Sequence, residues 1–256
     1  MLEARIRQAR AEKPILLMTH IVLGYPSFEV SMQIVNAMVE AGVDLMELQI
    51  PFSEPMADGP VILAANQKAL AAGSTVERCF EFAAAVSRRH EIPFLFMSYY
   101  NVLFRAGVAG FVDRMKASGV CGAIVPDLPP EEGATYMAAM KGANLDPIFI
   151  YSPSSDLERM RAIGEHARGF VYCVARKGVT GSQTAFSSDL DAYLVRCRAA
   201  TKLPLALGFG VQDAADVEFL RGKVDIAVVG SATLRLVDEK GVGAVRDFIR
   251  GLRPKA

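Results

Sequence analysis

The sequence predicts an α/β protein folded as one closed (β/α)8 barrel, and three observations carry that expectation. Eight short apolar runs alternate with amphipathic helical stretches. Strands separated by helices must run parallel, because each crossover returns the chain to the same end of the sheet. The chain has 256 residues, the size of one such barrel. A hydrophobic fraction of 52% suits strands buried on both faces. A doubly wound sheet is the weaker reading, since no Gly-x-Gly-x-x-Gly follows the first strand and no linker divides the chain. The expectation is therefore a single TIM-barrel domain over 1–256, with an extra N-terminal helix and long loops after strands 2 and 6.

Each element has its own justification. Residues 1–14, MLEARIRQARAEKP, read as an amphipathic helix without the apolar core of a signal segment. The strands are expected at 14–22, 43–50, 93–99, 122–127, 147–152, 169–175, 203–210 and 224–231, where β-branched and aromatic residues cluster. Helices are expected at 28–41 (ending at Ala41-Gly42), 60–71, 76–90, 108–118, 131–142, 156–166, 188–200 and 213–221. A short helix follows Gly230, and a helical tail spans 242–252. Most strand starts lie roughly 20–35 residues apart, as single βα units require. Two steps are longer, and their excess is the loop from Pro51 to Pro60 and the segment 176–186, RKGVTGSQTAF. Both follow strand C-termini, the face where barrel enzymes build their sites. The Gly, Ser and Thr content of 176–186 suggests a flexible lid.

Charge and cysteine usage exclude several classes. Lys+Arg and Asp+Glu are both 28, and no basic block stands out, which argues against nucleic acid or an anionic membrane as partner. The longest apolar stretch, Ile15 to Leu23, is too short to span a bilayer. Cys79, Cys121, Cys173 and Cys197 lack CxxC or zinc-ligand spacing, so reduced thiols in a cytoplasm are expected and no metal site.

The chemistry concentrates in residues 45–60, LMELQIPFSEPMADGP. Glu47 stands on an otherwise apolar strand, in step with Val43 and Leu45 by the period of two. A carboxylate there is costly to bury unless it is paired or used. The functional reading is proton transfer at the rim of the barrel interior; the alternative is a structural ion pair with a Lys or Arg. Asp58, in Ala-Asp-Gly-Pro, is a second acid on the following loop. Its alternative is local: Asp-Gly is turn chemistry, and Asp58 could cap the helix starting near Pro60. Two glycine-rich strand ends, Leu207-Gly208-Phe209-Gly210 and Val229-Gly230-Ser231-Ala232, fall after strands seven and eight. Loops there commonly cradle phosphate, with backbone N–H groups and a helix N-terminus as donors. Gly181 in the lid could supply a third backbone segment; ordinary strand-to-helix turns are the alternative.

With these residues assembled, the chain resembles the tryptophan synthase α subunit family nearly end to end, as a divergent member. The resemblance runs through Gly24-Tyr25-Pro26, Ala41-Gly42-Val43-Asp44, Glu47 with Pro51-Phe52-Ser53, Ala57-Asp58-Gly59-Pro60, Asn66, Ala71-Ala72-Gly73, Arg176 with Gly178-Val179-Thr180-Gly181, Gly208-Phe209-Gly210 and Gly230-Ser231-Ala232. It implies a lyase that cleaves indole-3-glycerol phosphate to indole and glyceraldehyde 3-phosphate in tryptophan biosynthesis. It also implies an α2β2 partnership with a β subunit that carries PLP, and no cofactor in this chain.

The resemblance implies roles by position. Glu47 would protonate C3 of the indole ring and take the proton of the glycerol hydroxyl, while Asp58 would accept the indole N–H. Phosphate would rest on the backbone of Gly181, Gly210, Gly230 and Ser231, and Thr180 would order the lid against Asp58. Tyr172, Phe209, Ile62, Tyr99, Ile124 and Ile150 would form the apolar slot, with plain barrel core as the alternative. Three positions depart from the family pattern. Gln49 replaces a usual Gly, Glu54 a usual Asp that communicates with the β subunit, and His20 a usual Phe beside the indole, where it would face the pocket and touch substrate. Altered substrate fit or partner coupling is the expected consequence. The competing functions are a stand-alone lyase releasing free indole and a non-catalytic barrel that regulates a partner. A Schiff-base aldolase is disfavoured because no Lys stands at a strand end, Lys177 in the lid being the nearest.

Overall fold

The computed structural model describes residues 2–174, 188–208 and 210–253. Eight parallel strands close in chain order into a barrel. They are β1 (Leu16–Val22), β2 (Leu45–Gln49), β3 (Phe94–Met97), β4 (Gly122–Ile124), β5 (Asp146–Tyr151), β6 (Val171–Val174), β7 (Leu205–Gly208) and β8 (Ile226–Val229). The last pairs with the first, Leu16 opposite Ile226. The helices are α1 (Leu2–Glu12), α2 (Phe28–Glu40), α3 (Pro60–Ala71), α4 (Val76–Arg89), α5 (Tyr100–Ala106), α6 (Val108–Ala117), α7 (Ala134–Ala143), α8 (Leu157–His166), α9 (Ser188–Ala200), α10 (Ala214–Leu220), α11 (Ser231–Lys240) and α12 (Val245–Gly251).

Strand alternation sorts the side chains into two cores. Leu17, Ile21, Met46, Leu48 and Phe96 point outward to the helices. Leu16, Met18, Leu45, Leu95, Ile124, Ile148, Tyr172 and Val228 fill the barrel. The N-terminal helix closes the bottom: Leu2 and Ile6 join this interior cluster, and the Leu2 N–H donates to the Asp146 carboxylate at 3.2 Å. With the lower half of the barrel packed by hydrocarbon, polar side chains are confined to the opposite, C-terminal rim.

Three local differences from the sequence reading have physical causes. Helix α5 (Tyr100–Ala106) adds to the expected helices, since the sequence reading leaves 100–107 between strand 93–99 and the helix at 108–118 unassigned. Its start is held from a distance: the Tyr100 N–H donates to both Asp127 carboxylate oxygens, at 2.8 and 3.1 Å. The helix expected at 131–142 begins as a 3-10 turn at Pro130–Glu132 before α7. Val43, expected on the same face as Glu47, packs in the outer cluster, because β2 starts only at Leu45.

The loop from Pro51 to Gly59 is tied to α3 and β3. Asn66 accepts the Phe52 N–H at 2.9 Å and donates to the Ile62 carbonyl at 2.8 Å. The Tyr99 hydroxyl accepts the Ala57 N–H at 3.1 Å, and the Phe52 and Tyr99 rings stack at 5.2 Å. No helix among the described residues is long and apolar enough to cross a membrane.

Candidate active site

Register on the first two strands builds one half of the site. His20 lies directly opposite Glu47 in the β1–β2 ladder, and both side chains point into the barrel at its upper rim. His20 Nδ1 and Glu47 Oε2 are 2.9 Å apart, with the imidazole N–H donating to the carboxylate. Thus Glu47 has a partner, but it is a histidine rather than the Lys or Arg of a structural ion pair.

Period two places Gln49 on the same face as Glu47, one step higher. Its amide Nε2 donates to Asp58 Oδ2 at 2.7 Å, and the Tyr99 hydroxyl donates to the same oxygen at 3.1 Å. Asp58 does not cap α3: the residue before that helix is Gly59, without a side-chain cap. The loop acid is therefore folded inward onto the scaffold. Relative exposures are 4% for His20, 2% for Glu47, 0% for Gln49 and 6% for Asp58, so all four stand out of bulk water.

Burial and charge set the protonation states together. Burial works against an imidazolium at His20, but the Glu47 hydrogen bond, the Glu47 and Asp58 charges and Gln49 outweigh it and hold its pKa above 6.5. Burial pushes the Asp58 carboxyl above 3.8, and the His20 charge with the Gln49 and Tyr99 donors pulls part of the way back. Burial, then the Glu47 and Asp58 charges, pushes the Tyr172 hydroxyl well above 10. Burial and Asp58 do the same to Tyr99. Both phenols remain protonated donors at neutral pH. Among the described residues, His20 Nε2, Glu47 Oε1 and Gln49 Oε1 are buried without a hydrogen bond of ordinary length, with Gln49 a weaker polar neighbour of His20 and the Tyr172 hydroxyl one of Glu47.

Apolar walls surround these groups. Tyr99, Ile124, Ile150 and Tyr172 share one cluster with Met97, Phe52 and Ala57. Ile62 does not join them; it sits on α3 against Val22, Tyr25, Ala65 and Leu234. A Cβ on Gly208 would lie 2.2 Å from the Tyr172 hydroxyl, so only glycine lets that ring lie across the end of β7. Gly210 has φ +127°, a backbone state that also favours glycine. Gly230 precedes α11, whose first turn has no side-chain cap and begins at Ser231. It flanks the His20 ring. Thr180, Gly181 and Phe209, with the rest of the expected lid, lie outside the described residues.

Two acids at the C-terminal rim, one held by an imidazole and one by neutral donors, beside an aromatic slot and an open helix N-terminus, match proton-transfer chemistry on a small aromatic phosphate. Comparison with known proteins agrees. The family described as "Tryptophan synthase alpha chain" matches residues 6–250. The chain belongs to the tryptophan synthase alpha chain family. The tryptophan synthase alpha chain of Syntrophotalea carbinolica is 64% identical over 99% of this chain and 100% of its own length. That of Desulforapulum autotrophicum is 63% identical over 98% and 100%. Tryptophan synthase from Mycobacterium tuberculosis superposes with a TM-score of 0.92 at 33% identity, covering 98% of this chain and 96% of that one. The alpha subunit from Legionella pneumophila gives 0.89 at 27%, with 98% and 96% covered.

Two features of the site were missed in the sequence. Gln49 and Tyr99 act as donors to Asp58, and neither spacing nor composition signals a bond between a strand and a loop. Asn66, which anchors the loop, did leave a signal. It falls on the same stripe of α3 as Ala65 and Ala69, and a polar residue on a buried helical stripe needs specific partners.

Proposed function

We propose that this chain cleaves indole-3-glycerol phosphate by a retro-aldol reaction, with Glu47 and Asp58 as its catalytic residues. The observation that carries the reading is the pair of buried carboxylates in different environments, one beside an imidazole and one held by two neutral donors. Cleavage of the C3–C3′ bond needs a proton added to C3 of the indole and one removed from the adjacent glycerol hydroxyl. Glu47 supplies the first and receives the second, so it ends the cycle as it began. Protonation at C3 puts positive charge on the indole nitrogen. Asp58, ionised and fixed, accepts that N–H and stabilises the charge where it develops. When the C–C bond breaks, its electrons return to the ring and indole leaves with glyceraldehyde 3-phosphate as the other product.

Tyr99, Ile124, Ile150 and Tyr172 supply the slot for the indole ring, with Ile62 at the rim and Phe209 completing it. His20 borders the slot from β1. Phosphate is assigned to the backbone of Gly181, Gly210 and Gly230 and to Ser231, where the uncapped α11 N-terminus favours an anion. Thr180 orders the lid over Asp58. The reaction needs no cofactor in this chain, and the setting is cytoplasmic.

Partnership with a PLP-dependent β subunit in an α2β2 assembly follows the family. Met56 and Phe104, 75% and 68% exposed, support a docking surface at this end of the barrel. One observation favours a second reading, a lyase competent alone: Asp58 is already held by this chain's own Gln49 and Tyr99. Indole release by the purified chain, measured with and without its β subunit, decides both points. Slow release that accelerates with the partner is expected. No release in either condition overturns the lyase assignment, and full activity alone that the partner does not change selects the second reading.

A further inference from the structure

We propose that His20 is a positioning residue for Glu47, fixing the carboxylate through Oε2 so that Oε1 is the oxygen that exchanges protons with substrate. The inference rests on the lyase reading above and assigns a division of labour within the catalytic carboxylate. Three geometric facts support it. His20 and Glu47 are registered opposite each other on adjacent strands, so their side chains are aligned by the barrel itself rather than by a loop. The 2.9 Å contact engages Oε2 alone. Oε1 is buried and makes no hydrogen bond of ordinary length among the described residues; the Tyr172 hydroxyl faces the carboxylate as a neighbouring donor. A carboxylate free to rotate would present either oxygen; one tethered at Oε2 presents only the other.

The surroundings fix what else acts on the imidazole. Glu47 and Asp58 are the charged groups facing it, with the Gln49 amide beside them. Tyr172 faces the same two carboxylates from β6. On the β8 side the neighbour is Gly230, which brings no side chain. Every nearby charge is negative, so the imidazole is kept as a cation and donates to Oε2. A donor at Oε2 holds the carboxyl group in one orientation through both proton transfers. The raised pKa of His20 places loss of this cation above pH 6.5, so kcat should fall on the alkaline side as the imidazole loses its charge.

Two variants separate positioning from packing. His20→Asn keeps an N–H donor near the Nδ1 position but does not titrate. His20→Phe fills the space without a donor. The Phe variant is expected to lose roughly 10- to 100-fold in kcat with KM little changed, the size of one hydrogen bond to a charged group. The Asn variant should recover much of that loss and show no alkaline limb from an imidazole. Wild-type kcat and an unchanged pH profile in both folded variants would overturn the proposal. A measurement independent of turnover is the nitrogen-edited NMR spectrum of the imidazole. A downfield Nδ1 proton that moves upfield in Glu47→Gln, where a neutral amide replaces the carboxylate as acceptor, is expected, and a spectrum unaffected by that substitution overturns the pairing. A chain that never releases indole contradicts the lyase reading instead, and the imidazole spectrum then decides the pairing by itself.

Discussion

Replacing Gln49 with Met removes the amide that holds Asp58 while keeping an unbranched side chain of similar length. The hydrogen bond lost is short, at 2.7 Å, and both partners are buried. A bond to a charged group contributes about 1.5–3 kcal/mol. For a chain of this size that corresponds to a fall in Tm of roughly 3–12 °C at neutral pH. The pH dependence has a definite sign. Burial holds the Asp58 carboxyl above 3.8 in the folded state, so its ionisation costs folded stability. That cost is absent below the unfolded value and complete above the folded one. Gln49 lowers the folded value; without it the value rises further and the cost grows. The destabilisation of Gln49→Met should therefore be small near pH 3.8 and increase as pH rises through the folded value. Denaturant unfolding of both proteins across this range, with indole release beside it, gives the measurement. A stability difference that is flat with pH, or absent at pH 8, would refute the bond's assigned role.

Two further substitutions probe the walls of the site. Gly208→Ala would place a methyl 2.2 Å from the Tyr172 hydroxyl and 2.4 Å from its Cε1, costing about 1–3 kcal/mol by overpacking. KM for the indole substrate should rise as the ring is displaced; thermal melts and steady-state kinetics check both effects. Asn66→Ala leaves the Phe52 N–H and the Ile62 carbonyl without their side-chain partner, at about 1–3 kcal/mol. Limited proteolysis should then cut within 51–59 faster than in the parent chain, while sites on the outer helices keep their rates.

The barrel was legible in the sequence because its strands are short, nearly continuous apolar runs and its helices carry amphipathic stripes, both local signals. What escaped was non-local. Helix α5 depends on Asp127, 27 residues beyond its start. The expected strands run too long, 224–231 against Ile226–Val229, because glycine-rich turns continue the apolar pattern after the ladder hydrogen bonds end. Glu47 and Asp58 could be picked out as acids in unusual places. Their partners could not, since the pairing of His20 with Glu47 depends on the register of β1 against β2. Ile62, which the family resemblance puts in the slot, packs from α3 against Val22 and Leu234, a placement at the rim that apolar character alone does not specify. His20 and Gln49 stand out in the sequence as departures from the family pattern. In the folded chain each is a hydrogen-bond donor to one of the two acids.

The central claim is that Glu47 exchanges protons with the substrate, and indole release by Glu47→Gln tests it most directly. The amide keeps the shape of the side chain and can still accept from His20, so the barrel should melt as the parent does. Indole release should fall by roughly 10²–10⁴-fold, the contribution of a positioned general acid–base. A folded Glu47→Gln protein that releases indole at the parent rate would contradict the account.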